Sequence, residues 1–264
     1  MDILLKSTIM GIIEGLTEFL PISSTGHLII AGELLKFTGE KAKIFEVVIQ
    51  LGAILSVVCI YWERFFGLIR PSGKKFSGIN GLFLLFLTSL PASILGLLFE
   101  KTIKQYLFFP KSVAIALFVG AIMIFVVEGL NKREKYQSLD EITPYLALGI
   151  GFFQCLALWP GFSRSAATIM GAMILGSTRK LAAEYSFIAA VPIMVAATSL
   201  ELFKNFEIFS SNDLIVLAVG FVVSFISAYV AVKGFIHLLG KTTLRPFGIY
   251  RIILAILVLI FMKS

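Results

Sequence analysis

Apolar positions in this chain fall in long runs. Stretches at 44–61, 79–99, 112–130, 182–203, 213–235 and 247–262 are each mostly apolar. Their length is close to the roughly 18–20 residues that carry a helix across a ~30 Å hydrocarbon core. Two further apolar stretches, 3–35 and 142–176, are interrupted, the first by "LPISSTG" and the second by "WPGFSRS". Proline and glycine among serines stop a helix and leave backbone groups unpaired. In lipid such a break survives only where protein or a water-filled cavity satisfies it. Both stretches therefore read as re-entrant helical hairpins with their tips pointing inward.

The hairpins resemble each other at a constant offset of 140: Gly11, Glu14 and Ser23 align with Gly151, Gln154 and Ser163, and Phe45 with Tyr185. Each half then has one hairpin followed by three spans. A hairpin returns to its own side and three spans end on the opposite side, so the second half starts inverted with respect to the first. The pattern predicts an all-α polytopic membrane protein: six transmembrane helices and two re-entrant hairpins in an inverted-topology repeat. It forms a single integral membrane domain over 1–264, with halves of about 1–135 and 140–264 and a site where the two broken segments meet.

Composition agrees with the membrane class. The chain is 58% hydrophobic and 15% charged, with a mean hydropathy of +0.95, and the short loops leave no room for a soluble domain. The start, "MDILLKSTIMGIIEG", lacks a basic leader and a small-residue cleavage site, so no removable signal peptide is expected. A net charge of +7 reads here as basic loops beside an anionic leaflet, with no nucleic-acid partner. The loops at 62–80, 131–143, 177–181 and 233–251 carry thirteen Lys and Arg, against nine on the other side. This places the first set in the cytoplasm and both termini outside. Arg164 stands apart as the basic residue assigned to the membrane interior. Cys59 and Cys155 lie in apolar stretches and are expected to be buried structural thiols.

Against this background a few polar residues carry the chemistry. Glu14 and Glu18 are four apart on a predicted helix and share one face. Ionisable groups at membrane depth cost about 2.5–3.5 kcal/mol on insertion scales and mark a site by default. The pair suits a divalent cation, or a base with an orienting partner. Ser23, Ser24, Thr25 and His27 follow the first break. One such hydroxyl is expected to cap the helix, but three beside glutamates and a histidine suit an activated nucleophile. The other histidine, His237, lies in a basic interfacial stretch and reads as structural. At the second break Ser163, Arg164, Ser165 and Thr168 form an anion receptor of guanidinium, hydroxyls and helix N–H groups. Arg164 can pair with Glu14 or Glu18 as well. A phosphate receptor plus a nucleophile, reached from the bilayer, points to a lipid carrying phosphate groups, with a divalent metal to offset the glutamates.

"EGLTEFLPISSTGH" (14–27) and "PGFSRSAAT" (160–168), with "FEVVIQLGAIL" (45–55) and "LPASILGLLFE" (90–100), resemble the bacitracin-resistance type of undecaprenyl-diphosphate phosphatase over essentially the whole chain. Ala166 is a small departure, where glycine is more usual. The resemblance implies hydrolysis of the terminal phosphate of undecaprenyl diphosphate at the outer face of the bacterial plasma (inner) membrane. That reaction regenerates the monophosphate carrier for cell-wall synthesis. It also implies dependence on a divalent cation such as Mg2+ or Ca2+. Carried over by position, Glu14 and Glu18 are the motif glutamates and metal ligands, Ser24 the nucleophile and His27 a base. Arg164 is the phosphate clamp, with Ser163, Ser165, Thr168, Ser23 and Thr25 around it. A homodimer is compatible with this picture.

Alternatives remain at this level. Glu18 or His27 can take the Ser24 proton; a metal-bound water or a phosphohistidine at His27 can replace the serine attack. A transporter or flippase would use the same architecture, and phosphate release from a purified sample in detergent separates the two. A lipid-phosphate acid phosphatase needs a second histidine with an acidic partner, which His237 does not supply.

Overall fold

The structure is a computed structural model describing residues 2–70, 73–130, 134–205, 213–239 and 241–261. Among these residues there is no β-strand; the elements are helices, joined in one place by an isolated bridge between Tyr136 and Ser177. The first half contains α1 (Ile3–Thr17), α2 (Ser24–Leu35), α3 (Glu40–Ile60), α4 (Trp62–Ile69), α5 (Gly78–Tyr106) and α6 (Pro110–Gly129). The second contains α7 (Pro144–Gln154), α8 (Arg164–Ile174), α9 (Arg179–Asn205), α10 (Asp213–Leu239) and α11 (Arg245–Phe261). By length and composition α3, α5, α6, α9 and α10 are able to cross a membrane, and α11 is a 17-residue helix of similar character. The chain is an all-α, multi-pass membrane protein.

The two interrupted stretches are helix pairs. α1 ends at Thr17 and α2 begins at Ser24; α7 ends at Gln154, continues as a short 3-10 turn over Cys155–Leu158, and α8 begins at Arg164. Members of each pair pack against each other. Each pair also packs on a long helix of the other half. Gly11 and Gly15 let α1 touch α10: a Cβ on Gly11 would lie 2.7 Å from the Gly220 carbonyl oxygen, and one on Gly15 would lie 2.7 Å from the Ala228 nitrogen. Gly151 does the same for α7 on α5, 2.7 Å from the Thr88 carbonyl oxygen. Without a hydrophobic driving force between helices in lipid, such close backbone approach supplies van der Waals packing that helps to hold them together. α6 and α11 pair antiparallel: Val113, Leu117, Leu254 and Val258 share one cluster, while Gly248 faces Ile124 and Phe125 at the other end.

The main core lies where the breaks meet α9. Phe19 and Phe162, one from each break, are fully buried with Tyr185 and Phe187, and Phe19 meets Phe187 edge-on at 5.3 Å. Elsewhere large apolar side chains such as Leu97, Leu98 and Phe203 point outward, as lipid-facing surfaces require.

Three expectations change. Arg251, counted among the loop cations of 233–251, sits inside α11 and is fully buried, so Arg164 is not the lone interior cation. Cys59 is exposed, because a membrane helix is apolar on its outer face as well as its inner one. The 62–80 loop contains α4, an amphipathic helix whose Trp62, Phe66 and Ile69 are exposed while Gly67 and Leu68 are buried. Such a helix suits the bilayer interface. Asp140 anchors this region, accepting from the Phe76 N–H at 2.9 Å and from Arg64 at 3.1 Å.

Candidate active site

Both breaks end on a serine in the same conformation. Ser23 has φ 67° and Ser163 has φ 76°, the left-handed region that side-chain-bearing residues rarely occupy. Each hydroxyl accepts from the backbone N–H three residues on, Gly26 in one case and Ala166 in the other. These are N-cap bonds that start α2 and α8. The residues immediately after the caps, Ser24 and Arg164, are again 140 apart, and each is the first residue of its helix.

Glu18 joins them. Ser24 Oγ donates to Glu18 Oε2 at 2.6 Å, and Arg164 Nη2 donates to Glu18 Oε1 at 3.1 Å. The pair is sheltered: the Glu18 side chain is 7% exposed and that of Arg164 13%. The guanidinium also donates to the Ser186 carbonyl at 3.2 Å and stands over the Phe19 ring at 5.4 Å. Its Nε, however, is buried with no partner. Glu14 lies one turn before Glu18 and is fully buried, with both carboxylate oxygens unpartnered. Glu18, Glu46 and Arg164 are its charged neighbours. A buried donor on Arg164 and two buried acceptors on Glu14, left open near the Glu18 carboxylate, are polar groups that a ligand would satisfy.

The remaining expected residues have other bonds. Ser165 Oγ donates to the Leu20 carbonyl at 2.7 Å, stitching one break to the other, and lies 3.0 Å from Ser163 Oγ. Thr168 Oγ1 donates to the Arg164 carbonyl and meets Ser186 Oγ at 2.6 Å. Thr25 is half-buried on the first turn of α2. His27 Nδ1 is 2.7 Å from the Ser23 carbonyl and Nε2 is 2.7 Å from Tyr250 Oη. A carbonyl only accepts, so Nδ1 carries the proton and Nε2 accepts from the tyrosine. His237 bonds to Lys241 at the far end of α10.

Divalent cations take carboxylates, and Mg2+ in particular binds one or two of them together with substrate phosphates. Among the described residues no group of three His, Cys, Asp or Glu would hold a metal alone. The open Glu14 carboxylate fits a cation that shares its coordination with a phosphorylated ligand.

Sequence reasoning missed Ser186, Tyr250 and Arg251. Ser186 had a signal: it follows Tyr185, the repeat partner of Phe45, and so stands opposite Glu46. Tyr250 meets His27 across 223 residues, and no local pattern announces it.

A model of the family described as "Bacitracin resistance protein BacA" matches residues 7–257. The chain is 67% identical over 262 residues to a protein of Maridesulfovibrio salexigens named undecaprenyl-diphosphatase, covering 99% of both chains. Proteins of the same name from Solidesulfovibrio magneticus and Lawsonia intracellularis are 63% and 55% identical, each over 97% of both chains. With two matching breaks, paired glutamates and the serine–arginine junction between them, this chain belongs to the BacA bacitracin-resistance family.

Proposed function

We propose that the protein is an undecaprenyl-diphosphate phosphatase, removing the terminal phosphate to regenerate the monophosphate lipid carrier for cell-wall synthesis. The observation that carries the mechanism is the chain Ser24–Glu18–Arg164: nucleophile, base and orienting cation in continuous hydrogen-bond contact. Ser24 Oγ attacks the terminal phosphorus as its proton passes to Glu18. The bond to the bridging oxygen breaks, and the polyprenyl monophosphate leaves. Arg164, with its open Nε, offers a donor to the equatorial oxygens as their charge rearranges. Glu18 passes this proton to the departing monophosphate. Water then attacks the phosphoserine, its proton passes to Glu18 and on to Ser24 Oγ as the P–Oγ bond breaks, and phosphate departs.

The geometry favours Glu18 over His27 as the base, since both His27 nitrogens are engaged away from Ser24. His27 instead ties the Ser23 cap to α11. A Mg2+ or Ca2+ ion held by Glu14 would supply positive charge to the diphosphate oxygens. Glu18 is a weaker ligand candidate, because both its oxygens already have partners. Beside the second break, a groove of about 340 Å³ lined by Leu95, Phe99, Leu107, Leu156 and Trp159 would give an apolar tail a surface to lie on.

Both helix pairs are re-entrant on this reading, and each is braced by a long helix from the opposite half, the reciprocity expected of an inverted repeat. With Arg251 removed from the loop count, twelve basic residues face nine, which still favours an inner-membrane orientation with the site toward the cell exterior.

The test is phosphate release from undecaprenyl diphosphate by purified protein in detergent, with and without chelator, for wild type and Arg164→Ala. Release by wild type that is lost in both other arms is the expected result. Binding without release from wild type would instead assign the site to lipid transport.

A further inference from the structure

Arg251 is a guanidinium with no exposed surface, and its hydrogen bonds include none to a carboxylate. Its four hydrogen bonds go to backbone carbonyls: Nε to Leu117 at 3.1 Å, Nη1 to Pro21 at 3.2 Å, Nη2 to Ala116 and Gly161, each at 3.2 Å. Two of these acceptors are on α6. The other two are the breaks themselves, and Pro21 and Gly161 are the same position of the repeat, 140 residues apart. One side chain therefore holds equivalent carbonyls of both interrupted segments, freed there by the loss of helix. The slot is prepared for it: a Cβ on Gly120 would overlap the guanidinium, and the Phe162 ring stacks at 5.8 Å.

We propose that Arg251 is a positioning residue for the reaction, a clamp fixing the two breaks relative to each other. It thereby sets the placement of Ser24 and Glu18 on one side and Arg164 on the other. Pro21 lies three residues before Ser24 and Gly161 three before Arg164, so release of either carbonyl moves the start of a helix that carries a reacting group. Lysine keeps the charge but places all its donors on one atom and lacks the planar fork that reaches separate acceptors. The proposal rests on the phosphatase reading above.

The test compares wild type, Arg251→Lys and Arg251→Gln in detergent, measuring melting temperature, kcat, KM and backbone hydrogen exchange. Misplacement of about 1 Å costs on the order of 100-fold in turnover. Both variants are therefore expected to lose about 10–100-fold in kcat with little change in KM. Peptides covering 18–26 and 158–166 should exchange faster together, while α3 and α10 keep wild-type protection. Folded variants with wild-type kcat overturn the proposal, even if they melt lower, because Arg251 would then serve stability alone. Should neither arginine variant fold, Gly120→Ala displaces the guanidinium while retaining it. Wild-type kcat in that variant, or loss of the fold in all three, also overturns the clamp. Absence of phosphate release from wild type would instead remove the phosphatase reading.

Discussion

Replacing Glu18 by glutamine changes no heavy-atom count and tests the junction between the two halves. The native carboxylate accepts twice, from Ser24 at 2.6 Å and from Arg164 at 3.1 Å. An amide has one acceptor oxygen and one donor nitrogen. Arg164 only donates, so the amide oxygen turns toward it and the NH2 faces Ser24. The serine hydrogen bond is then reversed: Oγ accepts, and its proton has no base. Loss of a general base costs about 10²–10⁴-fold in rate, or roughly 2.7–5.5 kcal/mol of barrier at about 1.36 kcal/mol per decade. Removing one partner of a buried ion pair costs about 3–5 kcal/mol of stability. Because Arg164 keeps its Ser186 bonds and retains an acceptor, now neutral, in the amide oxygen, about 3 kcal/mol is expected. Phosphate release under saturating substrate gives the first quantity, and denaturant or thermal unfolding in the same detergent gives the second. Turnover within about threefold of wild type in folded Glu18→Gln would refute Glu18 as the base.

Ser24→Ala should abolish turnover and the capture of a phosphoryl group, and peptide mapping of a quenched wild-type reaction should place the label on Ser24; a label at His27 moves the nucleophile there. Glu14→Gln should weaken the response to Mg2+ or Ca2+, read both as cation-dependent phosphate release and as loss of cation-induced thermal stabilisation; an unchanged response removes Glu14 as the cation ligand. Asp140→Ala should cost about 1–3 kcal/mol by unpairing the Phe76 N–H and Arg64. Partial burial pushes the Asp140 carboxyl up, but the Phe76 N–H, Arg64 and Lys74 outweigh it and hold it below the usual aspartate range. Its contribution is thus complete above that range and fades as pH falls through the depressed value. The gap in melting temperature between wild type and Asp140→Ala should therefore close in acid. Gly15→Ala should lower stability by about 1–3 kcal/mol through overpacking of α1 on α10, read as a lower melting temperature.

Hydropathy and helix breakers made the long helices and the two interruptions readable in the sequence, because in lipid both follow from length and from backbone satisfaction alone. The offset of 140 exposed Ser23 and Ser163, whose matching caps reflect the same backbone problem solved twice. Arg251 was legible only in part: the run assigned to the last span, 247–262, and the preceding basic loop, 233–251, overlap at that residue. Composition cannot tell a cation at a membrane surface from one that spends four donors on backbone carbonyls. α4 was missed because its eight residues are too few for a span, and its own Arg64 with the following Arg70 read as loop. The Tyr250–His27 contact depends on how α11 lies against α2, a tertiary relation with no trace in spacing.

The Glu18–Arg164 bridge has a consequence for how a charged headgroup enters a place of low dielectric. Before substrate arrives, the carboxylate serves as a surrogate anion, keeping the guanidinium solvated by something negative. On the proposed mechanism, Glu18 becomes neutral on receiving the Ser24 proton as a phosphoryl group takes its place beside Arg164. The cation would then exchange one negative partner for another and not be left bare. The proton transfer leaves the summed charge of this trio unchanged, so the charge that remains to be offset is that of the incoming diphosphate, which is the part a cation at Glu14 would take.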